Sequence, residues 1–190
     1  MSSSSSQSFT RRKFIAATGA LTVTAACGNG IGSSGAQRID ARVATTLDFM
    51  YQSYPGTLDL ANKASGMLVM PLITKAGFGI GGSYGRGALQ IDGSDVDYYS
   101  AASGTFGFQI GAQQFAHVLF FMTPEALNGF RSSKGWSAGG DVEYAFKDQG
   151  GNLAAGTTTA LSPVIAVVFG QTGLLVGATL QGTKYTRIIP

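Results

Sequence analysis

The chain has very few of the residues on which most catalytic and metal sites depend. Its 190 residues include a single cysteine, Cys27, and a single histidine, His117. One thiol excludes an internal disulfide and a cysteine-based metal site. One histidine without a partner at a suggestive spacing predicts neither a metal set nor a catalytic triad, so we expect it at a strand end, hydrogen-bonded or solvated. We therefore predict no enzymatic activity, no metal and no cofactor.

Charged residues are also scarce, at 12% of the chain, against roughly 25% in ordinary globular domains. The formal charge of +3 does not describe the processed chain, because Arg11, Arg12 and Lys13 lie in a segment that we expect to be removed. Without them the chain carries ten basic and ten acidic side chains and is neutral. Phosphate contacts along a nucleic acid need a basic stripe. None is present, which argues against nucleic acid as a partner.

The N-terminal segment has no apolar run long enough to span a bilayer. Arg11 and Arg12 precede a short apolar stretch, residues 15–26, which is too short for a hydrocarbon core of about 30 Å. Paired arginines before such a stretch are typical of a twin-arginine signal. We predict that residues 1–26 are a twin-arginine-type lipoprotein signal peptide that is removed.

The small residues Thr24, Ala25 and Ala26 before Cys27 resemble a bacterial lipobox, in which the thiol is acylated before cleavage. We therefore predict lipid attachment at Cys27 and a flexible tether within residues 27–36, which are rich in Gly and Ser. The alternative is an ordinary signal peptide with a chance cysteine. Gly28 resembles the residue that follows the acylated cysteine of lipoproteins forwarded to the outer membrane. The expected location is thus the cell envelope, lipid-anchored at the outer membrane and facing the periplasm.

Glycine is abundant, at 28 residues, about twice its usual share, and it favours strands and tight turns over helices. An amphipathic helix is predicted at 38–54, where Ile39, Val43, Leu47, Met50 and Tyr54 share one face. We expect this face to pack in the protein core, with contact with a membrane surface as the alternative. Shorter helices are predicted at 58–64 and after Thr123-Pro124. Strands are predicted at 67–73, 77–91, 104–111, 118–122, 142–147, 164–169 and 174–181, with a turn at 92–95. The predicted fold class is α+β, with a curved, mostly antiparallel, Gly-rich sheet packed against the N-terminal helix.

Three short patterns have alternative interpretations. Residues 77–82 spell G-x-G-x-x-G, but the dinucleotide-binding loop requires a following helix. The residues that follow alternate like a strand, so we interpret the glycines as a face that another backbone approaches. Asp92, Asp95 and Asp97 lack the bidentate Glu of a calcium loop and are interpreted as an acidic turn. Residues 131–134 are interpreted as a mobile basic turn, with a small anion site as the alternative.

Several ordered motifs are similar to those of the SYLF-domain family. They lie at residues 63–71, 74–82, 85–87, 107–113, 139–141 and 173–182. The resemblance identifies residues 37–190 as a SYLF-like domain of the bacterial exported lipoprotein branch. It implies lipid binding, since eukaryotic members bind phosphoinositides and remodel membranes, and some bind actin.

From this resemblance we expect a non-catalytic domain that binds phospholipid headgroups, with anionic lipids favoured. Lys63, Lys75 and Arg86 lie within or beside the matched motifs and are the predicted headgroup contacts, with solvated cations as the alternative. The competing hypothesis is a structural or protein-interaction lipoprotein, with an envelope protein as partner and no lipid beyond its own anchor. An enzyme is the third option.

Overall fold

A computed structural model describes residues 33–139, 142–144, 146–147, 153–154, 162–170, 173–174 and 180–190. Cys27 and the predicted signal peptide lie outside this part of the chain. The described residues form helices and a curled sheet in which most pairings are antiparallel, so the predicted α+β class is confirmed.

Three helices are described. The first, α1, runs from Gly35 to Ser53 and begins three residues before its predicted start. Helix α2 spans Gly56–Lys63, and α3 spans Pro124–Ser132. The predicted cap of α3 is confirmed, because the Thr123 hydroxyl accepts a hydrogen bond from the Ala126 amide at 3.2 Å and Pro occupies the first turn.

One long hairpin dominates the sheet. Strand β1 spans Gly66–Ile91 and pairs antiparallel with β2, Ser94–Phe121, along nearly its whole length. The two-residue turn between them has positive φ at Asp92 (51°) and Gly93 (74°). Asp-Gly favours this conformation, whose twist matches that of the flanking strands. The predicted turn is confirmed, although it is shorter than expected.

Strand β1 folds back on itself instead of running straight. Its pairing with β2 is interrupted between Met70 and Ile73, around Pro71, and again between Phe78 and Ile80. Beyond the second interruption the strand returns along its own first half, so that any side chain on Gly87 would collide with the Val69 carbonyl. Within residues 77–82, the predicted close approach of backbone is confirmed at Gly77, where an added Cβ would meet the Gly81 backbone, and at Gly82, where it would meet the Ser103 carbonyl. Strand β1 continues where a nucleotide-binding loop would start a helix.

The remaining strands are short and complete the sheet around β2. They are β3 (Trp136–Ser137), β4 (Val142–Tyr144), β5 (Phe146–Lys147), β6 (Leu153–Ala154), β7 (Val164–Gly170), β8 (Gly173–Leu174) and β9 (Lys184–Ile188). The order along the main path is β3-β9-β2-β7-β4, with β1 paired to β2 and β8 to β7. Only the β4–β7 pairing within the described residues is parallel. The predicted hairpin is present as β7–β8, whereas β9 was not predicted.

Apolar side chains cover both faces of the sheet. The predicted apolar face of α1 packs on one face against Val69, Val118, Phe120 and Val167, which confirms that this face is core. Helix α3 covers the other face through Leu127 and Phe130. Met50 is fully buried, so truncation to Ala is expected to cost about 2–5 kcal/mol.

Candidate anion-binding site

Three arginines line one cavity between α1 and β1. Its volume is about 290 Å³, and Arg38, Arg42 and Arg86 share its wall with Leu72, Thr74 and Tyr84. Arg38 and Arg42 lie one helical turn apart, which places both on one flank of α1. Arg86 comes from the returning half of β1. The cavity therefore joins residues that are up to 48 positions apart in the sequence.

The fold-back of β1 is what brings the two strand segments of this cavity together. Gly85 lies directly against the carbonyl of Leu72, where any side chain would collide. This contact sets Thr74 and Arg86 on the same wall, across from the helix. Glycine is required here because only hydrogen fits between the two backbone segments.

The electrostatics of the cavity favour an anion. None of the residues that line it is acidic, and the first turn of α1 has no acidic residue. Gly35, the first residue of α1, also lies at the cavity, and the N-terminus of a helix carries a partial positive charge. The Arg38 guanidinium donates to the Ser34 carbonyl at 3.2 Å, which holds it beside this helix end. Guanidinium groups suit phosphate oxygens because they donate paired hydrogen bonds.

The structure separates the three predicted headgroup contacts. Arg86 lies in the cavity with Arg38 and Arg42, whereas Lys63 and Lys75 do not line it. Lys63 is exposed in the last turn of α2. Lys75 follows Thr74 on β1, and successive strand residues face opposite sides. Sequence reasoning missed Arg38 and Arg42.

The predicted acidic and basic turns are corrected by one buried carboxylate, which makes ion pairs with two arginines. Asp97 lies inside β2, its side chain is 1% exposed, and it accepts a hydrogen bond from Arg131 Nε at 3.1 Å. Arg187 of β9 bonds the other carboxylate oxygen. Asp97 is thus not a turn residue, and Arg131 belongs to α3 instead of a mobile turn. A carboxylate fixed between two guanidiniums is satisfied and ties α3 and β9 to β2.

His117 is buried in β2, 1% exposed, and not solvated. Its Nε2 lies 2.8 Å from the Tyr185 hydroxyl, and its Nδ1 has no hydrogen-bond partner. Burial lowers the pKa of the imidazole to about 3, because the charged form loses its hydration. A neutral imidazole enclosed by aromatic rings is a structural residue of the core, consistent with the hydrogen-bonded alternative.

Among residues 33–139 and the later described segments, no three His, Cys, Asp or Glu side chains group as metal ligands would. None of the helices described there has the length and apolarity needed to cross a membrane. Asp40 accepts a hydrogen bond from Tyr98 at 2.9 Å, and burial together with Asp40 raises the pKa of Tyr98 to about 12.

Comparison with known proteins gives one family. Residues 102–187 match the model of the Ysc84 family, described as "Las17-binding protein actin regulator". No curated protein matches the chain significantly. The matched region covers most of β2 and everything through β9, and it supports the resemblance seen in the ordered glycine motifs. Residues 102–187 therefore belong to the Ysc84, or SYLF, domain family.

Proposed function

We propose that this protein is a non-catalytic, lipid-anchored module of the cell envelope that binds anionic phospholipid headgroups. The observation that carries the proposal is the convergence of Arg38, Arg42 and Arg86 on one cavity without an acidic residue in its lining. A phosphodiester is the anion that a membrane presents in quantity, and each basic residue near an anionic surface contributes about 1 kcal/mol. Attachment of lipid at Cys27 would hold the domain within reach of that surface.

The headgroup site does not use the apolar face of α1. Ile39, Val43 and Met50 are buried against the sheet, so they cannot enter a bilayer while the helix stays docked. The helix instead contributes its arginine-bearing flank. Binding is therefore expected to be electrostatic, to weaken with salt and to leave the fold unchanged.

The test is co-sedimentation of residues 27–190 carrying Cys27→Ser, which lacks the cationic signal segment and any lipid of its own. Vesicles of phosphatidylcholine alone are compared with vesicles that also contain phosphatidylglycerol, at low and high salt. Binding is expected only to the anionic vesicles and is expected to fall as salt rises. Changing Arg38, Arg42 and Arg86 together to Gln should remove about 3 kcal/mol, more than a hundredfold in partition.

A protein partner is the second candidate function, favoured by the description of the matched family as one that binds a protein. On that account the chain would be a structural or protein-interaction lipoprotein. The vesicle experiment separates the two accounts. A folded chain that binds no vesicle of any composition would remove the lipid proposal and leave the protein-interaction account.

A further inference from the structure

A second cavity lies beside the arginine cavity and is lined mostly by apolar groups. This apolar groove has a volume of about 340 Å³, at the small end of the range for ligand pockets. Its wall includes Thr46 and Phe49 of α1, Leu72 of β1, Phe115 and Ala116 of β2, and Phe169 of β7. No charged residue lines it.

The groove continues the arginine cavity along the same flank of α1. Leu72 lines both cavities. Arg42 and Thr46 lie one turn apart, about 6 Å along the helix axis. That spacing is comparable to the separation between the phosphate and the first acyl methylenes of a glycerophospholipid. The two cavities therefore form one track, cationic at the start of α1 and apolar towards its end.

Aromatic side chains form the far wall of the groove. Phe49 is 43% exposed although it is a large apolar residue, and its ring stacks on Phe169 at a centroid distance of 5.9 Å. The hydroxyl of Thr45, which also lines the groove, is used by a hydrogen bond to the Ala41 carbonyl at 2.9 Å. The groove lining also includes Thr46 and Gln114, but most of its surface is apolar, so burial of apolar groups there is favourable.

We propose that the apolar groove receives one acyl chain of the phospholipid whose phosphate lies among Arg38, Arg42 and Arg86. This inference rests on the proposed headgroup site. The charge pattern selects the occupant, because a guanidinium cluster suits a phosphodiester and the adjoining aromatic wall suits methylenes. The protein then binds an individual lipid molecule, and its affinity depends on the length of the acyl chain.

The test uses soluble phosphatidylglycerols with four-carbon and six-carbon acyl chains, below the concentrations at which they aggregate. Each is titrated into residues 27–190 carrying Cys27→Ser, with glycerophosphoglycerol as the headgroup without acyl chains. One buried methylene is worth about fourfold in affinity. Lengthening one buried chain by two methylenes should therefore tighten binding about fifteenfold.

Two variants assign this gain to the groove. Thr46→Phe, which fills the groove, should bind both lipids about as weakly as glycerophosphoglycerol and so lose the gain from the longer chain. Ala44→Phe is the matched control, because Ala44 is exposed on the same helix and does not line the groove. It should retain the gain. Arg38→Gln with Arg42→Gln should weaken both lipids and leave their ratio unchanged.

The outcomes separate the two proposals. Equal affinity for the two chain lengths, with salt-sensitive headgroup binding intact, would contradict acyl-chain binding in the groove and leave the headgroup proposal unaffected. No binding of either lipid or of glycerophosphoglycerol overturns both. A dimer in sedimentation velocity that Thr46→Phe converts to monomer overturns the acyl-chain proposal, since a second copy then covers the groove.

Discussion

Lowering the pH from 7.5 to 5 should destabilise the fold through protonation of His117 in the unfolded chain. The imidazole is 1% exposed and has one hydrogen bond, to Tyr185, and its pKa falls from 6.5 to about 3 on folding. The folded state keeps the ring neutral while the unfolded chain takes up a proton below pH 6.5. The contribution of His117 to the free energy of unfolding is therefore fully present above pH 6.5 and is lost as the pH falls towards 3. Between pH 7.5 and 5 the loss is about 2 kcal/mol.

Urea denaturation at both pH values measures this loss, with the slope of the transition checked for constancy. The chain contains no other histidine. Asp95 works in the opposite direction, because burial raises the pKa of its carboxyl and protonation of the folded state then stabilises it. His117→Leu should lower stability at pH 7.5 and remove the loss of stability at pH 5. Equal stability of the unsubstituted chain at both pH values, or the same loss in His117→Leu, would refute the reasoning.

Three further predictions concern the sheet, the ion pair and the anchor. Gly87→Ala should prevent or strongly destabilise folding, because its methyl group would collide with the Val69 carbonyl. Gly129→Ala, in a helix with open space around it, should stabilise the fold by roughly 0.5–1 kcal/mol. Thermal unfolding followed by circular dichroism compares the two variants. Asp97→Asn should cost about 2–3 kcal/mol, measured by the shift of the urea midpoint. The amide oxygen of Asn can still accept from one arginine, but its NH2 group cannot accept from the other, and the carboxylate charge is lost. Cys27→Ser should leave the chain unprocessed or soluble on cell fractionation, and normal membrane partition of this variant would contradict lipid attachment.

The helices could be predicted from the sequence because their signals are local. Apolar residues that lie three or four positions apart mark the buried face of α1, and Thr123 with Pro124 marks the start of α3. The Asp92-Gly93 turn is equally local, since its backbone conformation depends on those two residues.

The site could be predicted only in part because it depends on the path of β1. Gly85 and Gly87 signal a close approach of backbone, but the sequence does not say which segment approaches. The fold-back places Arg86 opposite α1, and only then do Arg38 and Arg42 become its neighbours. Strand β9 was missed because Lys184 and Arg187 interrupt its apolar pattern. Arg187 pairs with the buried Asp97, which lies far away in the sequence.

The most direct test of the headgroup site compares two pairs of substitutions on vesicles that contain phosphatidylglycerol, at one ionic strength. Arg38→Gln with Arg42→Gln removes two cations from the cavity, while Lys63→Gln with Lys75→Gln removes two cations outside it. Net charge changes equally in both. The arginine pair should lower partition by about thirtyfold, from about 1 kcal/mol per residue, and the lysine pair by no more than about threefold, since cations outside the cavity contribute less. An arginine pair that binds like the unsubstituted chain, or a lysine pair that loses as much, would contradict a headgroup site in this cavity.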